Sequence, residues 1–495
     1  MVLQCVQSGG KSLNQLPPKL AFTLPFAQVE TFFVAPQSSD WMFAGLIAAC
    51  FSLLIASAEI WHRTKKPPVE WTRKLLHFSG GIVSLSLPML IHSHWVVLCL
   101  AMSMGAIFVV SKKNRWLQSI HGIDRVSSGS EFYPVVIYIC FVLCNGVVWK
   151  FVICILILAI SDSAAALIGK KFGQLVFRVE EEHKSVAGCL AFFIVTFVSA
   201  LIPLLIWDPL AGSGHLPNVW HYVLTASLIG LLVMCIELIS LGGSDNLWIP
   251  LGTLLVLTKT MQTDVYDLAI QNFSFATLLA LVIVVAHISK AFNAGGSIVF
   301  CLSSYGCWAM GSFDWALPIF IGYAIYLTMS YVAEAPWKLR VRSVLYNVLA
   351  PFLFMASANL FLNIQRVDLY QFLFVPFLTA VCVSLTQACS NIVGWKFRSN
   401  LSRRVILTAG LAPIIALAIH LPAVYRNELM IWSSMIWVLL VTVGFSIVSC
   451  LIVRPLPPGD APPSWLYLRS GLALLAGLTM ILIQFLKLVD VANVL

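Results

Sequence analysis

Asp162 follows twelve residues, Lys150 to Ser161, that are almost all apolar. An ionised carboxylate in such a run is expensive in hydrocarbon and is normally paired or functional. It can hold Mg2+, a hard ion that takes carboxylate and phosphate oxygens together. Small residues follow, Ser163 to Ala166, and then Gly169-Lys170-Lys171-Phe172-Gly173. Small residues let a second backbone approach closely, and lysine serves phosphate as a point charge. The spacing is not that of a Walker-type phosphate loop. Removing the charge, as in Asp162→Asn, is expected to relieve desolvation and to leave folding intact or improved.

Three further groups accompany it. Arg73, Lys74 and His77 open an apolar run beside Gly80 and Gly81, and Arg73 and His77 share one helix face. Glu180-Glu181-Glu182-His183-Lys184-Ser185 precedes Gly188 and another apolar run. Lys184 and Ser185 suit phosphate contacts at a helix start, and the three acids read as a solvated loop. Glu237 lies in an apolar run that ends in Ser240, Gly242-Gly243-Ser244-Asp245-Asn246 and Pro250. That pattern reads as a broken element whose acids line a cavity. Asp162 and Asp245 are the candidate metal ligands, and Asp162, His77 and Glu237 the candidate catalytic groups.

The elements that must position these groups are membrane helices. Of 495 residues, 60% are hydrophobic and 10% charged, against roughly 25% charged in soluble chains. This excludes a soluble multidomain protein, a disordered chain and a small disulfide scaffold. The expected fold is all-α and polytopic, with about 16 spans near residues 41–60, 76–92, 94–110, 132–147, 151–168, 187–207, 221–239, 247–258, 271–289, 295–310, 312–331, 343–362, 370–391, 405–421, 429–449 and 470–487. With the N-terminus outside, 23 of 30 basic residues fall in inner loops, as the positive-inside rule requires. The net charge of +9 is therefore loop bias and not a nucleic-acid surface. All four polar groups fall on that inner face, where a cytosolic or stromal nucleotide arrives. The 13 cysteines form no CxxC pair, so a structural zinc site is not expected. The expected organisation is a tail at 1–38, a first membrane domain at 39–270 and a second at 271–495.

The motifs Arg73-Lys74-Leu-Leu-His77, Ser161-Asp162-x-x-Ala165-Ala166-x-x-Gly169-Lys-x-Phe172-Gly173, Lys184-Ser185-Val-Ala-Gly188 and Glu237…Gly243-Ser-Asp245-Asn246-Leu-x-x-Pro250 occur in this order over residues 40–265. Together they resemble the CTP-dependent polyprenol kinases (dolichol, phytol and farnesol kinases), which are related to the phosphatidate cytidylyltransferases. The resemblance implies phosphoryl transfer from CTP to a membrane isoprenoid alcohol, with Mg2+. It implies that Asp162 serves metal and triphosphate. It also implies that Arg73, Lys74, Gly169, Lys170, Lys171, Gly173, Lys184, Ser185, Gly188 and Asn246 surround the nucleotide. Two departures stand out: Ala187 where the family commonly has Glu, and Ser161 for its usual Gly.

Two alternatives are weighed. A cytidylyltransferase would carry a C-terminal Lys-Asp, glycine-rich, Asp-Arg-x-Asp signature, which this chain lacks. A lipid or solute transporter is favoured by inverted repeats, and none is visible. Residues 275–490 hold few acids in their apolar runs. Short pieces, among them Gln387-Ala-Cys-Ser-Asn391-Ile-Val-Gly394, resemble a membrane family that includes phytyl-phosphate kinases, with Cys389 where that family carries an acid. A structural or lipid-binding extension is the expected role of this half.

Overall fold

The computed structural model describes residues 34–494, apart from 123–126, 181, 208, 210–218, 290, 336–337, 364–366, 398–399, 427–431 and 453–462. Most of the expected N-terminal tail, Glu181 and Arg125 therefore lie outside the described residues. The protein is an all-α, polytopic membrane protein, and among the described residues the one named sheet is a two-stranded hairpin. Twelve helices among these residues are long and apolar enough to cross a bilayer.

Each of the sixteen expected runs falls on a helix, but the expected span count is corrected to twelve. Val69–Ser84, Gly129–Cys144 and Asp245–Thr260 have 16 residues each and Ala294–Met310 has 17. At 1.5 Å per residue such helices rise about 24–26 Å, short of the roughly 30 Å of hydrocarbon. Local sequence sets these lengths. Asn145 and Gly146 take left-handed backbone (φ 45° and 76°) and stop the second of these helices. Gly242 and Gly243 (φ 61° and 85°) turn the chain just before the third begins.

The chain forms two compact units that divide at Thr277 and Leu278, inside one helix. In the first unit, α1 is Ser38–Lys65, α2 Val69–Ser84, α3 His94–Lys113, α4 Gly129–Cys144 and α5 Val148–Phe172. The hairpin follows, with β1 Val176–Val179 and β2 Glu182–Ser185 paired antiparallel so that Phe177 faces Lys184. Then come α6 Val186–Trp207, α7 Val219–Ile239 and α8 Asp245–Thr260. Helix α5 is the centre and packs against α2, α4, α6 and α8. Its residues Ile153, Cys154, Ile155, Ile157 and Leu158 are fully buried. Helices α1 and α3 lie at the margin, with most of their apolar surface outward.

In the second unit the helix Phe374–Lys396 is almost wholly buried. It packs against Phe313–Ala333, Val341–Asn363, Leu401–Arg426, Trp432–Ile452 and Pro463–Val494.

Candidate active site

Helix α5 is not α-helical throughout. Residues Ile157–Ser161 form a π-turn immediately before Asp162, and such turns occur frequently at functional sites. Helix α2 crosses at this turn, and Gly81 permits the approach. A Cβ at Gly81 would lie 2.3 Å from the Ala159 Cβ, which no side chain tolerates. One turn back along α2, the His77 Nε2 lies 2.9 Å from the Leu158 carbonyl. A carbonyl only accepts, so Nε2 carries the proton and the neutral ring keeps its lone pair on Nδ1. The Tyr133 ring meets His77 edge-on at 5.0 Å, and its hydroxyl donates to the His77 carbonyl at 3.2 Å. Lys74 Nζ donates to Asp162 Oδ2, and His77 Nε2 lies 3.8 Å from the same oxygen. The carboxylate placed in an apolar helix is thus compensated by a lysine 88 positions earlier.

A second buried ion pair lies on the other side of α5. Lys184 Nζ donates to Glu237 Oε1 at 2.7 Å and contacts Glu182 Oε2 at 3.2 Å. Glu182 and Lys184 are two apart in β2, which puts both on one face of the strand. Burial disfavours charge on Lys184, but Glu237 and then Glu182 outweigh it and hold the ammonium well above the ordinary lysine range.

Several expected ligands bind the protein itself. Ser185 Oγ accepts from the Gly188 N–H at 3.1 Å and so caps the start of α6. A Cβ at Gly173 would come 2.6 Å from the Ser185 Cβ, so this glycine lets the end of α5 close on the hairpin. Asn246 Nδ2 donates to the Gly129 carbonyl at 2.7 Å and ties α8 to α4. Asp245, the first residue of α8, has a buried Oδ1 with no hydrogen-bond partner.

Two cavities border these groups. The polar one, of about 540 Å³, is walled by the ends of α2, α5 and α7 and by the hairpin. Gly169, Lys170, Lys184, Ser185, Gly188 and Glu237 line it. The other is an apolar groove of about 180 Å³ between α1, α2, α3 and α4. Phe51, Leu100, Met104, Tyr133 and Ile137 line it, and His77 and Asn246 stand on its wall. Arg73, Lys74, Asp162 and Asp245 belong to both walls.

Part of this chain resembles a known enzyme. It is 28% identical over 218 residues to the phytol kinase of Synechocystis sp.. The match covers 44% of this chain and 90% of that kinase. No family model matches the chain, and no solved structure does. The homology is distant, and it links the chain at family level to the kinases that the four motifs resemble.

Most of the expected site residues come together on these two walls. Lys171 and Gly173 line neither cavity, and Lys171 Nζ sits 5.2 Å from the Phe172 ring centre. Glu237 lines the polar cavity alone. Sequence reading missed Tyr133, which is one aromatic residue in an apolar run. It also missed Glu70, whose Oε2 holds Arg73 at 2.8 Å; the i, i+3 spacing was the available signal. Among the described residues no three His, Cys, Asp or Glu side chains gather as a metal cage. Mg2+ on a nucleotide needs no such cage, because one or two carboxylates complete a shell made of phosphates and water. The unpartnered Asp245 Oδ1 at the junction of the cavities fits that role.

Proposed function

We propose that this protein transfers the γ-phosphoryl group of CTP to the hydroxyl of a membrane isoprenoid alcohol. The observation that carries the reading is the junction of the cavities. A wet, lysine-bearing chamber and an apolar groove share four walls: Arg73, Lys74, Asp162 and Asp245. A reaction between a charged soluble donor and a lipid acceptor needs such a meeting point. The kinase homology and the ordered motifs support the same class.

In this reading the triphosphate lies in the polar cavity against Lys170, Lys184 and Arg73. Lys184 is fixed by Glu237 and Glu182, and Arg73 by Glu70. The isoprenoid tail lies in the groove and brings its hydroxyl to Asp162. The oxygen attacks the γ-phosphorus, the bond to the β-phosphate oxygen breaks, and CDP carries away the electron pair. The alcohol proton passes to the Asp162 carboxylate, and His77, held on Leu158, orients the hydroxyl through Nδ1. Lys74 and Arg73 offset charge on the transferring group. Such transfer is chiefly positioning and electrostatic stabilisation. Mg2+, held by Asp245 and Asp162, would neutralise phosphate charge when bound. Glu237 supports Lys184 and takes no proton.

The test uses the purified full chain, CTP radiolabelled at either the α- or the γ-phosphate, and prenols of several lengths. Label from the γ-position alone should enter the lipid. Label from the α-position in lipid would mean cytidylyl transfer instead. No transfer to any prenol sinks the reading, and equal use of ATP removes the base preference.

A further inference from the structure

The second unit carries thirteen Lys and Arg against six Asp and Glu. Two of these arginines are buried within membrane-length helices. Arg404, in Leu401–Pro422, is 4% exposed, and Arg469, in Ser464–Leu486, is 8% exposed. Both face the central helix Phe374–Lys396. A Cβ at Gly394 would lie 3.2 Å from Arg404 Nε, so the missing side chain makes room for that guanidinium. Arg469 Nη2 donates to Asn391 Oδ1 at 2.9 Å. The charged and titratable groups that act on Arg469 are Cys450, Arg404 and Tyr326, with no carboxylate among them. Arg469 Nε is buried with no hydrogen-bond partner.

A second observation points the same way. Gln387 is 4% exposed, and both its amide atoms lack a hydrogen-bond partner. It lies four residues before Asn391 and so shares its helix face. A buried amide with nothing to bind costs about 1–3 kcal/mol. Two like charges in a low-dielectric interior cost more unless an anion joins them. The protein places cations and amides together here and supplies no acid.

We propose that this cluster binds the phosphate headgroup of an anionic membrane lipid, with Arg469 and Arg404 as its cations and Gln387 and Asn391 as its amides. Planar guanidinium forks match phosphate oxygens, and two of them balance a phosphomonoester dianion. The depth also fits. Arg469 is the seventh residue of Pro463–Val494 and Arg404 the fourth of Leu401–Arg426. Each therefore lies about 5–9 Å from a helix end, where basic pockets between helices meet headgroups. Tyr326, one of the groups that acts on Arg469, also lines an apolar cavity of about 80 Å³ with Phe300, Val381 and Leu385. An acyl chain has apolar walls to follow there.

The experiment is a binding titration on the full chain in maltoside detergent. The probes are a short-chain phosphatidic acid, the matching phosphatidylcholine and inorganic phosphate, with melting read in parallel. Phosphatidic acid should bind saturably and raise the melting midpoint, and phosphatidylcholine should do neither. Inorganic phosphate should bind more weakly, and equal affinity would overturn the lipid as ligand. Arg469→Gln and Gln387→Leu should each weaken phosphatidic acid by about tenfold or more. The unliganded melting point should not fall, because each variant removes a buried group that lacks full compensation. Absence of saturable binding, or unchanged binding in the variants, overturns the proposal. If Arg469→Gln does not fold, Gln387→Leu, which keeps both arginines, decides it alone.

Discussion

Asp162→Asn separates a catalytic carboxylate from a packing one. Asparagine keeps the shape and an acceptor oxygen but loses the charge that faces Lys74 and the His77 ring. Both members of the ion pair are largely buried, with side-chain exposures of 15% and 11%. The variant therefore strands an ammonium, and this reverses the expectation, drawn from the carboxylate alone, that stability would hold or rise. Breaking a fully buried pair costs about 3–5 kcal/mol. Lys74 borders both cavities, where water can solvate it, so a cost of about 1–3 kcal/mol is expected. At about 2–4 °C per kcal/mol for a unit of this size, the midpoint falls by about 2–12 °C. Losing one charge-stabilising group should lower turnover by about 10²–10³-fold, or about 2.7–4 kcal/mol. The double variant Lys74→Met with Asp162→Asn removes both charges. It should regain melting stability without regaining rate. Melting and transfer from γ-labelled CTP are measured in one detergent preparation. Wild-type turnover in Asp162→Asn, or joint recovery of rate and stability in the double variant, would refute the reasoning.

Other expectations follow from single contacts. Gly81→Ala forces α2 off Ala159; it should cost about 1–3 kcal/mol and lower turnover further than melting accounts for, and unchanged turnover would contradict the close approach. The Lys184 ammonium is held above its ordinary 10.5, so its contribution to stability is full below that value and is lost as pH climbs past it. The melting gap between wild type and Lys184→Gln should then stay flat from about pH 7 to about pH 10; a gap that closes by pH 9 speaks against the pairing. Asp245→Asn should leave melting unchanged but raise the Mg2+ needed for half-maximal turnover by about tenfold; superimposable Mg2+ curves would remove it from the metal site. Cys389→Ala, fully buried in the second unit, should keep turnover within about twofold of wild type, since no essential catalytic group is expected there.

The sequence made some of this legible for clear reasons. Apolar run length and charge placement report directly on membrane helices, and all sixteen runs lie on helices. Whether a run of 12 to 17 residues crosses the bilayer depends on where turns cut it, as Asn145-Gly146 and Gly242-Gly243 do. Asp162 was conspicuous because a charge in an apolar run is rare. Its partner was not, because Lys74 is brought to it only by the crossing at Gly81 and Ala159. Ser185 and Asn246 read as phosphate ligands from residue type, yet one caps α6 and the other joins α8 to α4. Hydroxyls and amides serve backbone and ligand equally well, so type alone cannot assign them. The apolar groove was invisible because its walls come from four helices whose apolar faces look alike in sequence.

The π-turn before Asp162 has a consequence in terms of insertion and deletion. A π-turn holds one residue beyond the α-helical count, so Ile157–Ser161 amounts to a one-codon insertion fixed inside a buried helix. Deleting any one of those five residues would restore the α-helical register. Everything after the turn would then rotate by about 100° relative to everything before it. The half from Phe151 to Ile155 is anchored in the core, so the rotating half is Asp162 to Phe172. Asp162 would swing away from Lys74 and His77, and Lys170 would leave the polar chamber. Length changes are well tolerated in surface loops, but at this position a single codon sets whether the two cavities share a carboxylate.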